Sequence, residues 1–132
     1  MKERRVLIVD DEKNIRFTLP LALEPLGVET DTASDGEEAL TKLGEKEFDL
    51  ILLDLKMPGI DGIEVLKRVK QTRPEIEVII LTGHGSEQDR ATCLELGAFA
   101  YLQKPVDIEL LTDTLKKANE QMRQNLAARR PA

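Results

Sequence analysis

Five residues of this chain carry groups suited to handling a phosphoryl group, and each follows a short β-like run. Asp10 and Asp11 follow the run at 6–9, Asp54 the run at 50–53, Thr82 the run at 78–81, and Lys104 the run at 100–102. Taken singly, each has an ordinary reading, since an Asp after a strand is often a loop residue or helix cap, and a Thr or Lys there is usually solvated. Taken jointly they supply a carboxylate nucleophile, a metal site, a hydroxyl donor and a cation. Three crowded carboxylates repel, and at least one resists ionising unless the charge is compensated. Magnesium accepts oxygen ligands and is commonly held by one or two carboxylates plus a phosphate. Three carboxylates and Lys104 carry a formal charge of about −2, which one Mg²⁺ brings to about zero. Phosphoryl transfer chiefly needs alignment and charge stabilisation on the equatorial oxygens, which a metal, an ammonium and a hydroxyl provide.

To converge, these residues need elements that bring positions almost a hundred residues apart to one edge. The runs at 6–9, 50–53 and 78–81 fit strands buried on both faces. The stretch 28–32 is more polar but β-rich, and 100–102 is a fifth strand candidate. Between them lie segments of helical spacing: Leu19, Ala22, Leu23 and Leu26; Ala39, Leu40 and Leu43; Ile63, Leu66 and Val69; Ala91, Cys93 and Leu94; and Leu111, Leu115, Ala118 and Met122. Strands alternating with helices at this spacing predict an α/β fold, a doubly wound parallel (βα)5 sheet, because right-handed crossovers put helices on both faces. Ligand crevices in such sheets open at the carboxyl ends of the strands, where all five residues lie. Pro20 falls inside the first helix and predicts a kink.

A chain of 132 residues with 41% apolar composition has the size of one domain able to bury a core without disulfides or structural metal. The division expected is one domain over 1–125, followed at 126–132 by an Arg-containing helix end or linker. The single Cys93 forms no internal disulfide, and no run is long and apolar enough for a signal peptide or membrane span. A reducing cytoplasm is the expected location, with no membrane partner. A net charge of −6 argues against direct nucleic-acid binding by this segment, which would need clustered Lys and Arg.

The strings VLIVDDE, LILLDLKMPGIDG, VIILTGHG and AYLQKP resemble the receiver domains of bacterial two-component response regulators over nearly the whole chain. The resemblance implies a flavodoxin-like sheet of strand order 2-1-3-4-5. It implies a phosphoacceptor module of a phosphorelay, charged at Asp54 by a sensor histidine kinase or phosphotransfer protein, that speeds its own phosphorylation and slow dephosphorylation without being a conventional enzyme. By the same resemblance Asp11 and Asp54 ligate Mg²⁺ directly, Asp10 acts mainly through water, and the backbone carbonyl of Lys56 completes the set. Lys104 pairs with the phosphoryl oxygens, Thr82 swings to meet one of them, and Gly83 leaves room and offers its N–H. Pro105 follows a cis peptide, and Tyr101 takes the position of the switch aromatic, the competing reading being an edge-strand tyrosine with no such role. Asn14, Ile15, Thr18, Pro105 and Val106 are the expected kinase-docking residues. The face made by the fourth helix, fifth strand and fifth helix is expected to serve an output domain or homodimer.

Two enzyme readings and one adaptor reading compete. Aspartate-nucleophile phosphohydrolases place a second Asp two residues after the nucleophile, where this chain has Lys56, and there is no room for a substrate cap. LILLD looks like a strand ending in a magnesium Asp of a nucleotide hydrolase, but no G-x-x-x-x-G-K-[ST] loop exists. A receiver-like adaptor that never accepts phosphate is disfavoured because all five site residues are present. Gly59 and Gly62 read as structural residues of a tight loop, His84 as a solvated loop residue and Cys93 as packed.

Overall fold

Side chains on a strand alternate between faces, so a strand covered by helices on both sides reads as an unbroken apolar run. That is what the three central strands show. β1 (Arg5–Val9), β3 (Leu50–Leu53) and β4 (Glu77–Thr82) are flanked by β2 (Glu29–Ala33) and β5 (Ala100–Gln103) in one parallel sheet of order β2-β1-β3-β4-β5. The computed structural model describes the backbone of residues 4–129 and the side chains of residues 4–124. The helices are α1 (Lys13–Leu23), α2 (Gly36–Glu45), α3 (Gly62–Thr72), α4 (Glu87–Glu95) and α5 (Ile108–Arg129). α5 carries the helix past residue 125, and residues 130–132 of the expected tail lie outside the described residues.

Alternate residues of the same strands build two core layers. Leu7, Val9, Ile51, Leu53, Val78 and Ile80 pack with Ala39, Leu43, Val65, Leu66, Val69 and Cys93 of α2, α3 and α4. Val6, Ile8, Leu50, Leu52, Ile79 and Leu81 pack with Leu19, Leu23, Leu111, Leu115 and Ala118 of α1 and α5. Each buried Leu, Ile or Val side chain contributes roughly 1.5–3 kcal/mol through area removed from water.

Several elements differ from the sequence expectation. α1 contains Pro20, as expected, but gives way to a 3-10 turn at Glu24–Leu26, so Leu26 lies beyond the helix it was expected to share. Thr82 is the last residue of β4 rather than the first beyond it. On α4 only Cys93 of the expected face is buried; Ala91 and Leu94 are exposed. Burial pushes the Cys93 thiol up to about 11, consistent with a packed and unreactive side chain.

The loop after β3 is held by two glycines for different reasons. Gly59 has φ 78°, a left-handed conformation that side chains resist. Gly62 lies so close to β3 that a Cβ would overlap the Asp54 carbonyl oxygen and sit 2.7 Å from Leu55 Cα. Its N–H donates to the Leu55 carbonyl at 2.9 Å, and the Asp61 carboxylate beside it caps α3 by accepting from Glu64 N–H at 3.0 Å.

Candidate functional site

The sheet ladder extends one residue past three strands and fixes the backbone of the charged residues there. Asp10 N–H donates to the Ala33 carbonyl at 3.0 Å, Asp54 N–H to Val9 at 2.9 Å, and Lys104 N–H to Thr82 at 2.9 Å. Asp10, Asp54 and Thr82 are all buried. The Lys104 ammonium reaches back across the edge, 2.7 Å from Asp10 Oδ2, 3.0 Å from Glu12 Oε1 and 3.6 Å from Asp54 Oδ2. The Lys104–Pro105 peptide is cis, as the resemblance implied.

The two buried aspartates are treated differently by their surroundings. Both oxygens of Asp10 are occupied: Oδ1 accepts from Glu12 N–H at 2.9 Å and Oδ2 from Lys104. The guanidinium of Arg16 donates to the Asp10 carbonyl at 2.9 Å and steadies the same turn. Burial raises the Asp10 carboxyl above its ordinary range, against the lowering effect of Lys104 and the Glu12 N–H. Lys104 has the opposite balance: burial disfavours its charge, but hydrogen bonds to Asp10 and Glu12 together raise it above 10.5. Asp54, only 1% exposed, has neither carboxylate oxygen hydrogen-bonded. Buried polar atoms left this way are rare and costly, and they concentrate where chemistry is done.

Glu12 is the site residue that sequence reading missed. Asp10, Glu12 and Asp54 each offer an oxygen within 4.8 Å of the others. Glu12 is also the N-cap residue of α1, yet its side chain makes no cap bond because its carboxylate is turned to Lys104. The signal was the third acid of the string VLIVDDE. Asp11, expected as a direct ligand, is exposed and outside this trio. Lys56 lies in the exposed part of the loop after Asp54.

Around this centre, Thr82 Oγ1 accepts from His84 N–H at 3.2 Å, and His84 itself is exposed. Gly83 borders Lys104, but a Cβ there would meet the lysine stem only at an ordinary 3.6 Å. Tyr101 is half-buried against the α2–α3–α4 side of the core with its hydroxyl enclosed, and its phenol is raised, chiefly by burial. Ile15, Thr18, Pro105 and Val106 line one groove of about 490 Å³ with Lys104 and Gly83. Asn14 is exposed one turn before Thr18, and Phe17 beside them is 71% exposed, an aromatic that sequence reading did not single out.

The sequence profile of the response regulator receiver domain matches residues 6–116, most of the chain. This protein belongs to that family. The receiver domain is 41% identical over 117 residues to sporulation initiation phosphotransferase F of Bacillus subtilis, covering 89% of this chain and 94% of the relative. It is 38% identical over 118 residues to the DNA-binding transcriptional regulator NtrC of Salmonella typhimurium, again over 89% of this chain but only 25% of the relative. Its fold superposes on the CheY-like receiver domain protein of Methanospirillum hungatei with TM-score 0.90 at 32% identity, covering 94% and 99% of the two chains. The BeF3-activated DrrB receiver domain matches with TM-score 0.83 at 33% identity, covering 90% and 99%. The chain is therefore homologous to phosphoacceptors of two-component systems, which partner with histidine kinases or phosphotransfer proteins, and the phosphohydrolase and adaptor alternatives are not favoured. Receiver domains bind Mg²⁺ in an acidic pocket, and the all-oxygen donors of Asp10, Glu12 and Asp54 suit that hard cation. Among the described residues no helix is long and apolar enough to cross a membrane.

Proposed function

We propose that Asp54 is the residue phosphorylated in this receiver domain, with Mg²⁺ beside it, Lys104 and Thr82 serving the transfer, and Tyr101 reading out the result. The observation that carries this is the contrast between the two buried aspartates. Asp10 has both oxygens engaged, whereas Asp54 has two enclosed, unbonded oxygens, one of them 3.6 Å from the Lys104 ammonium. A carboxylate oxygen of Asp54 attacks the phosphorus of a phosphohistidine, the P–N bond breaks, and the imidazole leaves with a proton. Lys104 holds charge on the phosphoryl oxygens. The Thr82 hydroxyl, an acceptor for His84 N–H, keeps its own proton to donate, and the Gly83 N–H is the second movable donor. When bound, Mg²⁺ supplies the positive charge that lets acids and phosphoryl group coexist. Acetyl phosphate with Mg²⁺ followed by intact-mass analysis and peptide mapping tests the assignment: one phosphoryl group on the peptide containing Asp54 is expected, and modification elsewhere contradicts it.

For the metal, the family resemblance puts Asp11 and Asp54 in direct contact, Asp10 behind water, and the Lys56 carbonyl alongside. The exposure of Asp11 leaves its carboxylate uncommitted, whereas Glu12 is already held by Lys104. Asp11→Ala is therefore expected to weaken Mg²⁺ binding roughly tenfold or more, and Glu12→Ala to change it less. Titration with Mg²⁺ decides between them, and the reverse order would make Glu12 the ligand.

The donor docks over the groove lined by Ile15, Thr18, Pro105 and Val106, with Asn14 on its outer rim. The groove opens beside Lys104, so a histidine brought there faces the acceptor. A charge at Ile15 or Val106 is expected to slow transfer from a histidine kinase while labelling by acetyl phosphate continues. Unchanged kinase transfer in both variants would refute this surface. Output is assigned to the face of α4, β5 and α5, through a homodimer or an output domain, with the receiver unit at 1–125 and the end of α5 leading on from it.

A further inference from the structure

Tyr101 lies where it does because of the residue at position 85. A Cβ built on Gly85 would coincide with the Tyr101 hydroxyl, lie 2.8 Å from its Cζ and 3.1 Å from Thr82 Cγ2. Gly85 has no positive φ, so its backbone conformation is open to any residue. What the position demands is space. Gly83, two residues earlier, makes no such demand, since a Cβ there meets Lys104 at 3.6 Å.

We propose that Gly85 is a positioning residue for the switch: its missing side chain is the seat that lets Tyr101 lie inward beside Thr82, and a side chain at 85 expels the ring. The inference rests on reading Tyr101 as the switch aromatic. A Cβ is fixed to the backbone, and the backbone next to Gly85 is anchored by the Ser86–Asp89 capping box of α4. The tyrosine hydroxyl is the far end of a side chain that rotates, so the ring yields before the loop does. The inward position is also finely balanced. The ring gains burial, but its enclosed hydroxyl has no hydrogen-bond partner to replace the water it gave up. A small steric demand at position 85 therefore tips the equilibrium. Asp54 and Lys104 are not among the three nearest neighbours of such a Cβ, which belong to Tyr101 and to the Thr82 methyl, so the demand falls on the ring and, at 3.1 Å, on the methyl rather than on the acceptor.

The chain has one tyrosine and no tryptophan, so tyrosine absorbance and fluorescence report this ring alone. Its phenol titrates above 10.0, through burial first and then Cys93, Asp89 and Glu87, with Arg90 opposing. In Gly85→Ala the titration is expected to fall toward 10.0 and iodide quenching to rise several-fold, with the circular dichroism unchanged; Gly83→Ala keeps the wild-type values. Wild-type titration and quenching in folded Gly85→Ala would overturn the proposal, as would equal changes in Gly83→Ala. Should Gly85→Ala be too unstable for this, a double-mutant cycle serves: its shift in denaturation midpoint should largely vanish in a Tyr101→Ala background, and an equal shift in both backgrounds overturns the seat. Amide spectra with beryllofluoride separate the two readings. Loss of the response along α4 in Gly85→Ala supports both, while an expelled ring with the α4 response intact leaves the seat standing and removes Tyr101 from the switch.

Discussion

Asp54→Asn is expected to take up no phosphoryl group from acetyl phosphate and Mg²⁺, and to be more stable than the parent protein in the absence of divalent cations. The first result follows because Asp10 is occupied by Lys104 and the Glu12 N–H, leaving no second buried acceptor with free oxygens among the described residues. The second follows from electrostatics. Asp54 contributes a buried carboxylate with no hydrogen bond, close to Asp10 and Glu12, and its one favourable partner is already shared with both. Removing one charge from that group relieves repulsion and desolvation at once, worth about 1–2 kcal/mol. Urea denaturation in EDTA measures it. Saturating Mg²⁺ should narrow the gap, because binding to the native parent adds RT ln(1 + [Mg²⁺]/Kd) that the variant largely forgoes. Undiminished labelling in Asp54→Asn would end the assignment of the acceptor. A variant less stable than the parent in EDTA would show that the carboxylate is held by interactions outweighing its repulsion.

Lys104→Ala should have the opposite effect on stability. It removes the cation at 2.7 Å from Asp10 and leaves three acids facing one another without compensation. Breaking a buried pair usually costs 3–5 kcal/mol, but Asp10 escapes part of this by taking up a proton, so roughly 2–3 kcal/mol is expected at neutral pH in EDTA. The pH dependence has a definite sign. Burial already raises the Asp10 carboxyl above 3.8, and loss of Lys104 removes the main group that opposes that rise, leaving only the Glu12 N–H. An acid whose folded-state value is raised favours the folded protein least once it must ionise. The deficit should thus be small below the ordinary aspartate range and grow as pH rises through the raised value toward neutrality. Mg²⁺ should restore part of the loss. Asp54 should still label from small donors, more slowly, while the response of the α4 face disappears. A deficit that shrinks between acid and neutral pH would refute this account of the lysine.

The positions of β1, β3 and β4 were legible because strands buried on both faces have to be apolar throughout, and Asp10 and Asp54 were legible because they end such strands. α4 was not. It buries Cys93 but leaves Ala91 and Leu94 exposed, so small and apolar residues there imitate a core-facing stripe. Glu12 looked like an ordinary acid at a helix start, and only Lys104, arriving from β5, turns it inward. The fit of Tyr101 onto Gly85 has no signature in spacing, since it depends on how two loops approach across a strand end. Gly62 was read correctly as structural, but its reason, contact with the backbone of Asp54 and Leu55, is tertiary.

The order of these strands along the chain has a bearing on how the site assembles. β1 precedes the other four strands of the sheet and lies inside it, while the lysine that pairs with Asp10 at its end comes 94 residues later. A nascent or stalled chain that ends before β5 holds the acceptor carboxylates but neither their counter-charge nor the edge that fixes Lys104. Such a fragment cannot assemble the site, because the non-local contacts that build it form only when the last strand docks. Docking of β5 is therefore the step that brings Lys104 to Asp10 and Asp54 and completes the charge balance of the site.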